Sequence, residues 1–420
     1  MSIGVSAASA RTFRSLHRHR NYRLFFGGQV VSLSGTWIQN VAQAWFVLTL
    51  THSPIAVGIL AACQFGPYAL LGLIGGAVAD RLDLRRAQIG TQTAFAISAL
   101  TLAGLVLTGH AAVWVVFLLA AVNGTVQVLD TPVRQAFTIQ MVGRGELPNA
   151  IALNSSLFNA SRAIGPAIGG VLIAVAGVGV CFLINAVSFI AVIAALLAMR
   201  RNDLFPITRD SRQATLIRGV GEGLRYAWHE TMIRTVLLMM LVISTIGINF
   251  NVLLPVLASH TLMSGPQVYG LLSATFGIGA LTGALVSASL SRMSIRALLT
   301  GAVLFSAAEL VLAPLHAVWA AALVLVVVGF AFSLYASQSN AALQLTVPDR
   351  LRGRVLSLYG YVFFGTAPLG GLLVGWLAQV GGTMLAFVVA GAAGLTTVVF
   401  GGLELRRRIG ERTRAVPSPA

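Results

Sequence analysis

Two ionisable side chains lie deep inside long apolar stretches, where a charge is more suited to chemistry than to solvation. Arg162 lies 14 residues beyond Pro148, about 21 Å along a helix, and Glu309 lies 13 residues beyond Arg296, about 20 Å along one. Such groups are costly and indicate functional sites by default. Arg162 could bind an anion or counter-ion, and Glu309 could carry a proton. Alternatively, Arg162 holds helix carbonyls in a structural contact, and Glu309 lies near the outer interface.

Amide side chains form a second set of polar residues within the apolar runs. Aromatic residues such as Trp37, Trp45, Phe250 and Tyr335 occur in the same runs. Amides among aromatic rings would suit a large, partly apolar ligand, although each amide could equally bond a neighbouring helix. The candidate amides are Gln39, Asn40, Asn123, Asn249, Gln338 and Asn340.

The composition places these residues in a membrane. Of the 420 residues, 57% are hydrophobic and only 10% are charged, whereas soluble domains carry about 25% charged residues. This excludes a soluble enzyme, a disordered chain and a secreted disulfide scaffold. Cys63 and Cys181 both lie in apolar runs, so neither a disulfide framework nor a thiolate metal site is expected.

The apolar runs predict an all-α integral membrane protein with twelve transmembrane helices. A helix needs about 20 mostly apolar residues to cross the hydrocarbon core, and barrel strands would not give continuous runs of this length. The predicted spans are 24–49, 54–79, 87–108, 112–129, 148–175, 179–199, 233–257, 267–290, 297–314, 318–341, 355–378 and 383–403.

The arginines predict the orientation of these spans. The net charge is +16, and all 28 residues in the Lys and Arg count are Arg. If the N-terminus is inside, 27 of these 28 arginines fall in alternate gaps between spans, all on the inside. Cytoplasmic loops carry such an excess of basic residues, so both termini are expected in the cytoplasm of a cell-membrane protein. Because topology explains the basic clusters, nucleic acid is not an expected partner; the lipid bilayer is.

The chain divides into two related halves. Gly76–Asp80 matches Gly283–Ser287 at an offset of 207, and Pro166 matches Pro368 at an offset of 202. We therefore expect two pseudo-symmetric six-helix bundles with a substrate site between them near the membrane midplane. The expected organisation is a basic N-terminus (1–22), a first bundle (23–200), a cytoplasmic linker (201–231), a second bundle (232–405) and a tail (406–420). Part of the linker, 213–230, has an amphipathic pattern that fits an interfacial helix or a solvated one.

A charged motif between spans 2 and 3 resembles the loop motif of the major facilitator superfamily. It begins at Gly76, continues with Asp80-Arg81 and ends with the basic pair Arg85-Arg86. The resemblance covers nearly the whole chain and implies the major facilitator fold. In that family, the motif's acid, a basic residue and an acid closing span 4 form a gate network. Asp80 and Asp130 match the two acids and Arg81 or Arg85 the basic position; Arg134 follows in the same stretch. Alternatively, these charges only set topology.

A second motif, in span 5, is similar to the antiporter motif of the superfamily's drug exporters. Its glycines would let helices approach closely, and its proline removes a backbone hydrogen bond and permits a bend. The resemblance to drug exporters therefore implies export rather than uptake. An ordinary seam of small residues between packed helices would also explain the glycines. The motif residues are Arg162, Gly165, Pro166, Gly169 and Gly170. The stretches starting at Asp130 and Asn149 are similar to the enterobactin-exporter-like and macrolide-efflux-like branch.

Together these features predict a secondary transporter, not an enzyme, that exports small amphiphilic molecules or drugs by alternating access and proton antiport. A dedicated exporter of a native metabolite or siderophore is the alternative, and a non-transporting sensor or scaffold is the rival of a different class. No Walker loop or zinc-spaced His/Cys cluster occurs in the sequence, so no cofactor or metal is expected. We expect a monomer.

Overall fold

The computed structural model describes residues 13–206, 216–290 and 293–414, and this part of the chain is mainly helical. Parts of the predicted N-terminus, linker and tail lie outside the described residues, including Arg209 and Arg212 of the linker, as does Arg292 of the predicted second bundle. The helices are α1 (Arg14–Arg18), α2 (Arg20–Thr51), α3 (Pro54–Ala79), α4 (Leu84–Leu107), α5 (Val113–Ala176), α6 (Val178–Leu197), α7 (Leu216–His229), α8 (Thr231–Val242), α9 (Phe250–Val256), α10 (Pro266–Ser289), α11 (Ile295–Leu312), α12 (Val318–Thr346), α13 (Asp349–Gly365) and α14 (Ala367–Arg414).

All twelve predicted spans fall on these helices. Among the described residues, nine helical segments are long and apolar enough to cross a membrane, and two of them, Val113–Ala176 and Leu351–Leu405, each contain two predicted spans. Glycines divide these long segments. Gly143 (φ 69°) interrupts α5 and Gly382 (φ 67°) interrupts α14, because a left-handed backbone reverses the chain at least cost at glycine. The fold class is confirmed, and the exact span count stays a prediction.

The seventh span is broken, contrary to the uninterrupted helix expected over 233–257. Between α8 and α9, residues Ile243–Gly247 form a π-helical segment, and a second one follows at Leu257–Thr261. The Asn249 side chain donates to the carbonyls of Thr245 (2.8 Å) and Ile246 (3.4 Å), which competes with the regular helical ladder. The break therefore depends on one amide side chain.

Two of the helix starts are set by polar caps in equivalent places. The Asp83 carboxylate accepts from the Arg86 N–H (2.9 Å) at the start of α4, and the Ser294 hydroxyl accepts from the Ala297 N–H (3.2 Å) at the start of α11. Side-chain oxygens at this position satisfy an otherwise unpaired N–H of the first turn. The linker helix α7 lies within the predicted amphipathic stretch.

The chain forms two compact units. The first comprises Met1–Thr51, Gly66–Ser211 and Gly265–Ala274. Part of its core is an apolar cluster of α2, α4, α5 and α6 that includes Tyr22, Phe137 and Leu196. Exposed apolar side chains, such as Val175, cover outward surfaces of its helices, as expected for contact with lipid.

The second unit comprises His52–Phe65, Arg212–Ser264 and Thr275–Ala420. A chain of neighbouring rings, with centroids 4.7 to 6.2 Å apart, runs through its interior. Such packing makes the surroundings of any polar group there strongly apolar. The rings belong to Phe250, Phe276, Phe305, Phe332 and Phe363.

Candidate functional site

Asp130 lies at the centre of a buried polar cluster in the first unit. It is 3% exposed, and its Oδ1 accepts hydrogen bonds from Gln88 Nε2 (2.7 Å), Thr91 Oγ1 (2.7 Å) and Gln92 Nε2 (3.0 Å). These three donors lie on α4 at positions i, i+3 and i+4, which share one helix face. Burial costs a carboxylate its hydration, and the three donors replace it. The cluster therefore fixes α4 to the part of α5 that carries span 4.

The basic neighbour of Asp130 is Arg134, one helical turn further along α5. Its Nε lies 3.8 Å from Asp130 Oδ2, and the side chain is half-buried. Arg85, one of the two expected candidates, instead donates to the carbonyls of Leu196 (2.9 Å) and Leu197 (3.1 Å) at the end of α6. The structure thus places Arg134, rather than Arg85, beside the buried acid.

The other residues of the loop motif lie at the surface. Asp80 and Arg81 are exposed in the turn after α3, where the Asp80 N–H donates to the Gly76 carbonyl (3.1 Å). A Cβ placed on Gly76 would contact nothing within 4 Å outside its own helix. Packing therefore does not require glycine at this position.

The second unit has an equivalent cluster made of neutral groups. Gln338 lies 208 positions after Asp130, and its Nε2 donates to the hydroxyl of Ser287 (2.9 Å), which lies 207 positions after Asp80. Its Oε1 accepts from the N–H of Ser294 (2.9 Å), the residue that caps α11. Gln338 is thus a structural contact in this unit, as the alternative interpretation of the amides predicted.

The glycines of the antiporter-like motif make room for close helix crossings within the first unit. A Cβ on Gly165 would lie 2.5 Å from the Cβ of Trp37, and one on Gly169 would lie 3.3 Å from Ile38 Cα, both on α2. A Cβ on Gly170 would lie 2.8 Å from Gly270 Cα at the start of α10. These positions tolerate no side chain, which supports the packing role. Pro166 is buried between them, and Arg162 is half-buried in the same helix.

The remaining candidate amides divide between structural contacts and open positions. Gln39 Oε1 accepts from Asn185 Nδ2 (2.8 Å), and Asn249 binds carbonyls at the break before α9. The Asn123 Oδ1 is buried without a partner among the described residues, and Asn40 has a polar interaction.

Asn340 lies beside a cavity in the second unit. The cavity has a volume of about 430 Å³ and lies between α12 and α13. The amide oxygen of Asn340 accepts from Gln344 Nε2 (2.5 Å), and the rings of Tyr359, Phe363 and Phe364 line the opposite side. An amide and aromatic rings suit a partly apolar ligand, although these rings are not the aromatic residues named from the sequence.

Glu309 is buried without exposure in α11 of the second unit. Neither of its carboxyl oxygens has a hydrogen-bond partner among the described residues. The structure therefore places this group in the interior of the protein, not at the outer interface. Within the described part of the chain, no group of three or more His, Cys, Asp or Glu side chains lies close enough together to hold a metal ion.

An ion-pair contact ties helix α1 to the part of α5 that follows Gly143. Glu146 Oε1 accepts from Arg14 Nε (2.6 Å) and Arg18 Nη1 (2.9 Å), both on α1. The hydrogen bond from Arg14 holds the pKa of the Glu146 carboxyl below its ordinary value, and the charge of Arg18 adds to this effect. Sequence patterns gave no indication of this contact, because its partners lie more than 120 positions apart.

Comparison with known proteins shows which family the chain belongs to. Residues 12–419 match the family described as "Transmembrane secretion effector". The chain is similar to the staphyloferrin A transporter of Staphylococcus aureus, with 27% identity covering 90% of this chain and 95% of that protein. It is also similar to the multidrug efflux pump Tap of Mycolicibacterium fortuitum, with 29% identity covering 84% and 88%.

The fold is similar to the crystal structure of the nucleoside transporter NupG, with a TM-score of 0.71 and 12% identity over 92% of this chain and 99% of that one. The expected superfamily and its drug- and siderophore-exporter branch are confirmed, as is a transporter rather than an enzyme. The chain belongs to the transmembrane secretion effector family of the major facilitator superfamily, a family of multi-pass membrane transporters.

Proposed function

We propose that this chain is a monomeric exporter in the cell membrane that moves small amphiphilic molecules outward by alternating access, in exchange for protons. The observation that carries the substrate class is the cavity of about 430 Å³ in the second unit. Its Asn340 amide can bind a polar group while Tyr359, Phe363 and Phe364 contact apolar surface. Similarity to a protein named a multidrug efflux pump supports the same substrate class.

The charges near the expected cytoplasmic ends of the helices support a gate. The buried Asp130 carboxylate accepts three hydrogen bonds from α4, and such contacts between two helices can hold one conformation and break when the helices move. Arg134 lies one turn further along the same helix as Asp130, with its Nε 3.8 Å from the carboxylate. Asp80, Arg81 and Arg85 lie in or next to the adjoining turn, where both termini and the basic loops would be cytoplasmic. Asp80→Asn would then leave the protein in the membrane and slow transport.

Export of one native metabolite or siderophore is the second candidate. The specific observation in its favour is the similarity to a staphyloferrin A transporter, which covers 95% of that protein. Arg162, which lies deep within a predicted span, would suit an anionic substrate. This candidate predicts that cationic dyes are not exported.

The test is accumulation of the cationic dye ethidium in cells without their own efflux pumps. Cells with this protein should accumulate less dye than the same cells without it (empty cells). An uncoupler should remove this difference in dye accumulation. Asn340→Ala should weaken dye binding about fivefold, since one lost hydrogen bond is worth about 1 kcal/mol. Gly104→Ala is the control, because Gly104 lies outside the motifs and its added methyl group meets open space. Equal dye in protein-containing and empty cells would contradict drug export and favour a dedicated exporter or a scaffold.

A further inference from the structure

The second unit contains a carboxyl group in surroundings that do not stabilise its charge. Glu309 lies 14 residues into α11, about 21 Å along the helix, and has no solvent exposure. Both carboxyl oxygens lack a hydrogen-bond partner in the part of the chain that the structure describes. Proteins normally pair a buried charge or keep the group neutral, so the protonated form of Glu309 is the one that these surroundings favour.

The carboxyl group lies against the backbone of the broken seventh span. A Cβ placed on Gly247 would lie 3.3 and 3.4 Å from the two Glu309 oxygens and 2.8 Å from a ring carbon of Phe305. Gly247 is the last residue of the π-helical segment Ile243–Gly247. The Glu309 carboxyl therefore occupies the space that any other residue at position 247 would fill.

This part of the seventh span departs from regular α-helical geometry. The N–H of Ile248 donates to the carbonyl of Ile243 (3.2 Å), five residues back, instead of to the usual carbonyl four residues back. The next residue, Asn249, uses its side chain to bind helix carbonyls. Single π-helical turns are common at functional sites, and they provide a hinge between two helical pieces.

No described charged group compensates Glu309 from the helices around it. In α12 the titratable residue is Tyr335, and in the described side chains of α14 it is Glu404, which pairs with Arg234 of α8 (3.4 Å). His260 lies in the second π-helical segment. The Phe305 ring adjoins the same Gly247 position as the carboxyl, and the Phe250 ring packs against Phe305 with centroids 6.2 Å apart.

We propose that Glu309 binds the exchanged proton and that its protonation state sets the bend of the seventh span at Ile243–Gly247. The proton on the Glu309 oxygen is released to water on one side of the membrane, which breaks the O–H bond and leaves a carboxylate. The carboxylate is unstable among the rings, so the α8–α9 hinge moves and admits water. Uptake of a proton from the other side restores the O–H bond and the packed geometry. This inference deepens the proposed antiport and rests on it.

The test uses the full-length protein in liposomes, with ethidium as the transported probe. Two rates are measured: ethidium movement driven by an imposed pH gradient, and exchange of labelled for unlabelled ethidium without a gradient. Glu309→Gln resembles the neutral acid in size and shape, so it should keep the exchange and lose the gradient-driven movement to the level of empty liposomes. Glu404→Gln, at a half-buried Glu of the same unit that already has Arg234 as its partner, should keep both. Gradient-driven movement by Glu309→Gln at the wild-type rate would overturn the proposal.

A second measurement separates failure of this inference from failure of the proposed function. If the wild-type protein moves no ethidium in either assay, the drug-export proposal fails, and infrared difference spectroscopy across a pH change still tests Glu309. A protonated-carboxyl C=O band that is present in the wild type and missing in Glu309→Gln would support the proton site. Identical spectra for the two proteins would overturn it.

Discussion

The two halves of the chain place a polar side chain at the same point of the repeat but use different chemistry there. In the first half the residue is Asp130, a buried carboxylate with three hydrogen-bond donors on α4 and Arg134 beside it. In the second half it is Gln338, a neutral amide that binds Ser287 and the start of α11. The duplicated fold therefore keeps a polar contact at this position. The residue that makes the contact is charged in the first half, where the charge could hold one conformation, and neutral in the second half.

The opposite difference occurs at an equivalent glycine in the first span of each half. A Cβ on Gly35 would meet Asn185 Oδ1 and Ser188 Oγ, each at 2.7 Å, and Asn185 and Ser188 are hydrogen-bonded. Gly247, 212 positions later, faces the unpaired carboxyl of Glu309 instead. At this position the polar side chains of the first half are hydrogen-bonded, whereas the second half has the carboxyl group that we propose exchanges a proton.

The largest expected effect comes from removing the two equivalent polar side chains. Asp130→Ala leaves three donors of α4 without their acceptor in a buried site, which should lower the free energy of unfolding by about 3 kcal/mol or more. Gln338→Ala removes two neutral hydrogen bonds and should cost about 1 to 2 kcal/mol. Thermal unfolding of the purified variants in one detergent measures both. Equal destabilisation would show that the charge at Asp130 makes no difference to the contact.

The smallest expected effect concerns the ion pairs that tie a preceding helix to each half. Glu146 is 8% exposed and binds two arginines of α1, whereas Glu222 of α7 is largely exposed and pairs with Arg354. Glu146→Gln should therefore lower the melting temperature more than Glu222→Gln. The folded pKa of Glu146 lies below its ordinary 4.5, so this contribution is complete above that value and is lost as the pH falls towards the folded pKa.

The measurement is the melting temperature of both variants and the wild type between neutral and acidic pH. The difference between wild type and Glu146→Gln should shrink as the pH falls through the acidic range. A difference that stays constant with pH would mean that the Arg14 and Arg18 contacts do not depend on the Glu146 charge.

Sequence patterns predicted those parts of the fold that depend on local composition. The apolar runs predicted the spans, the resemblance to the loop motif identified Asp130, and polar side chains within apolar runs identified Asn340 and Glu309 as candidates. The donors Gln88, Thr91 and Gln92 were missed, although their i, i+3, i+4 spacing on an otherwise apolar helix was a usable signal. The break before α9 was not predictable, because it depends on how Asn249 and the neighbouring helix pack: a Cβ on Gly370 would lie 2.8 Å from Asn249 Nδ2.

We propose that the two halves have different functions: the charge of Asp130 in the first half holds one conformation, and Glu309 in the second half exchanges the proton. The most direct test of this proposal compares Asp130→Asn with Glu309→Gln in the two ethidium liposome assays. Asn at 130 keeps an acceptor oxygen for the α4 donors, so the protein should fold, but without the charge it should lose both exchange and gradient-driven movement. Glu309→Gln should lose only the gradient-driven movement. The same pattern of loss in both variants would contradict the proposal.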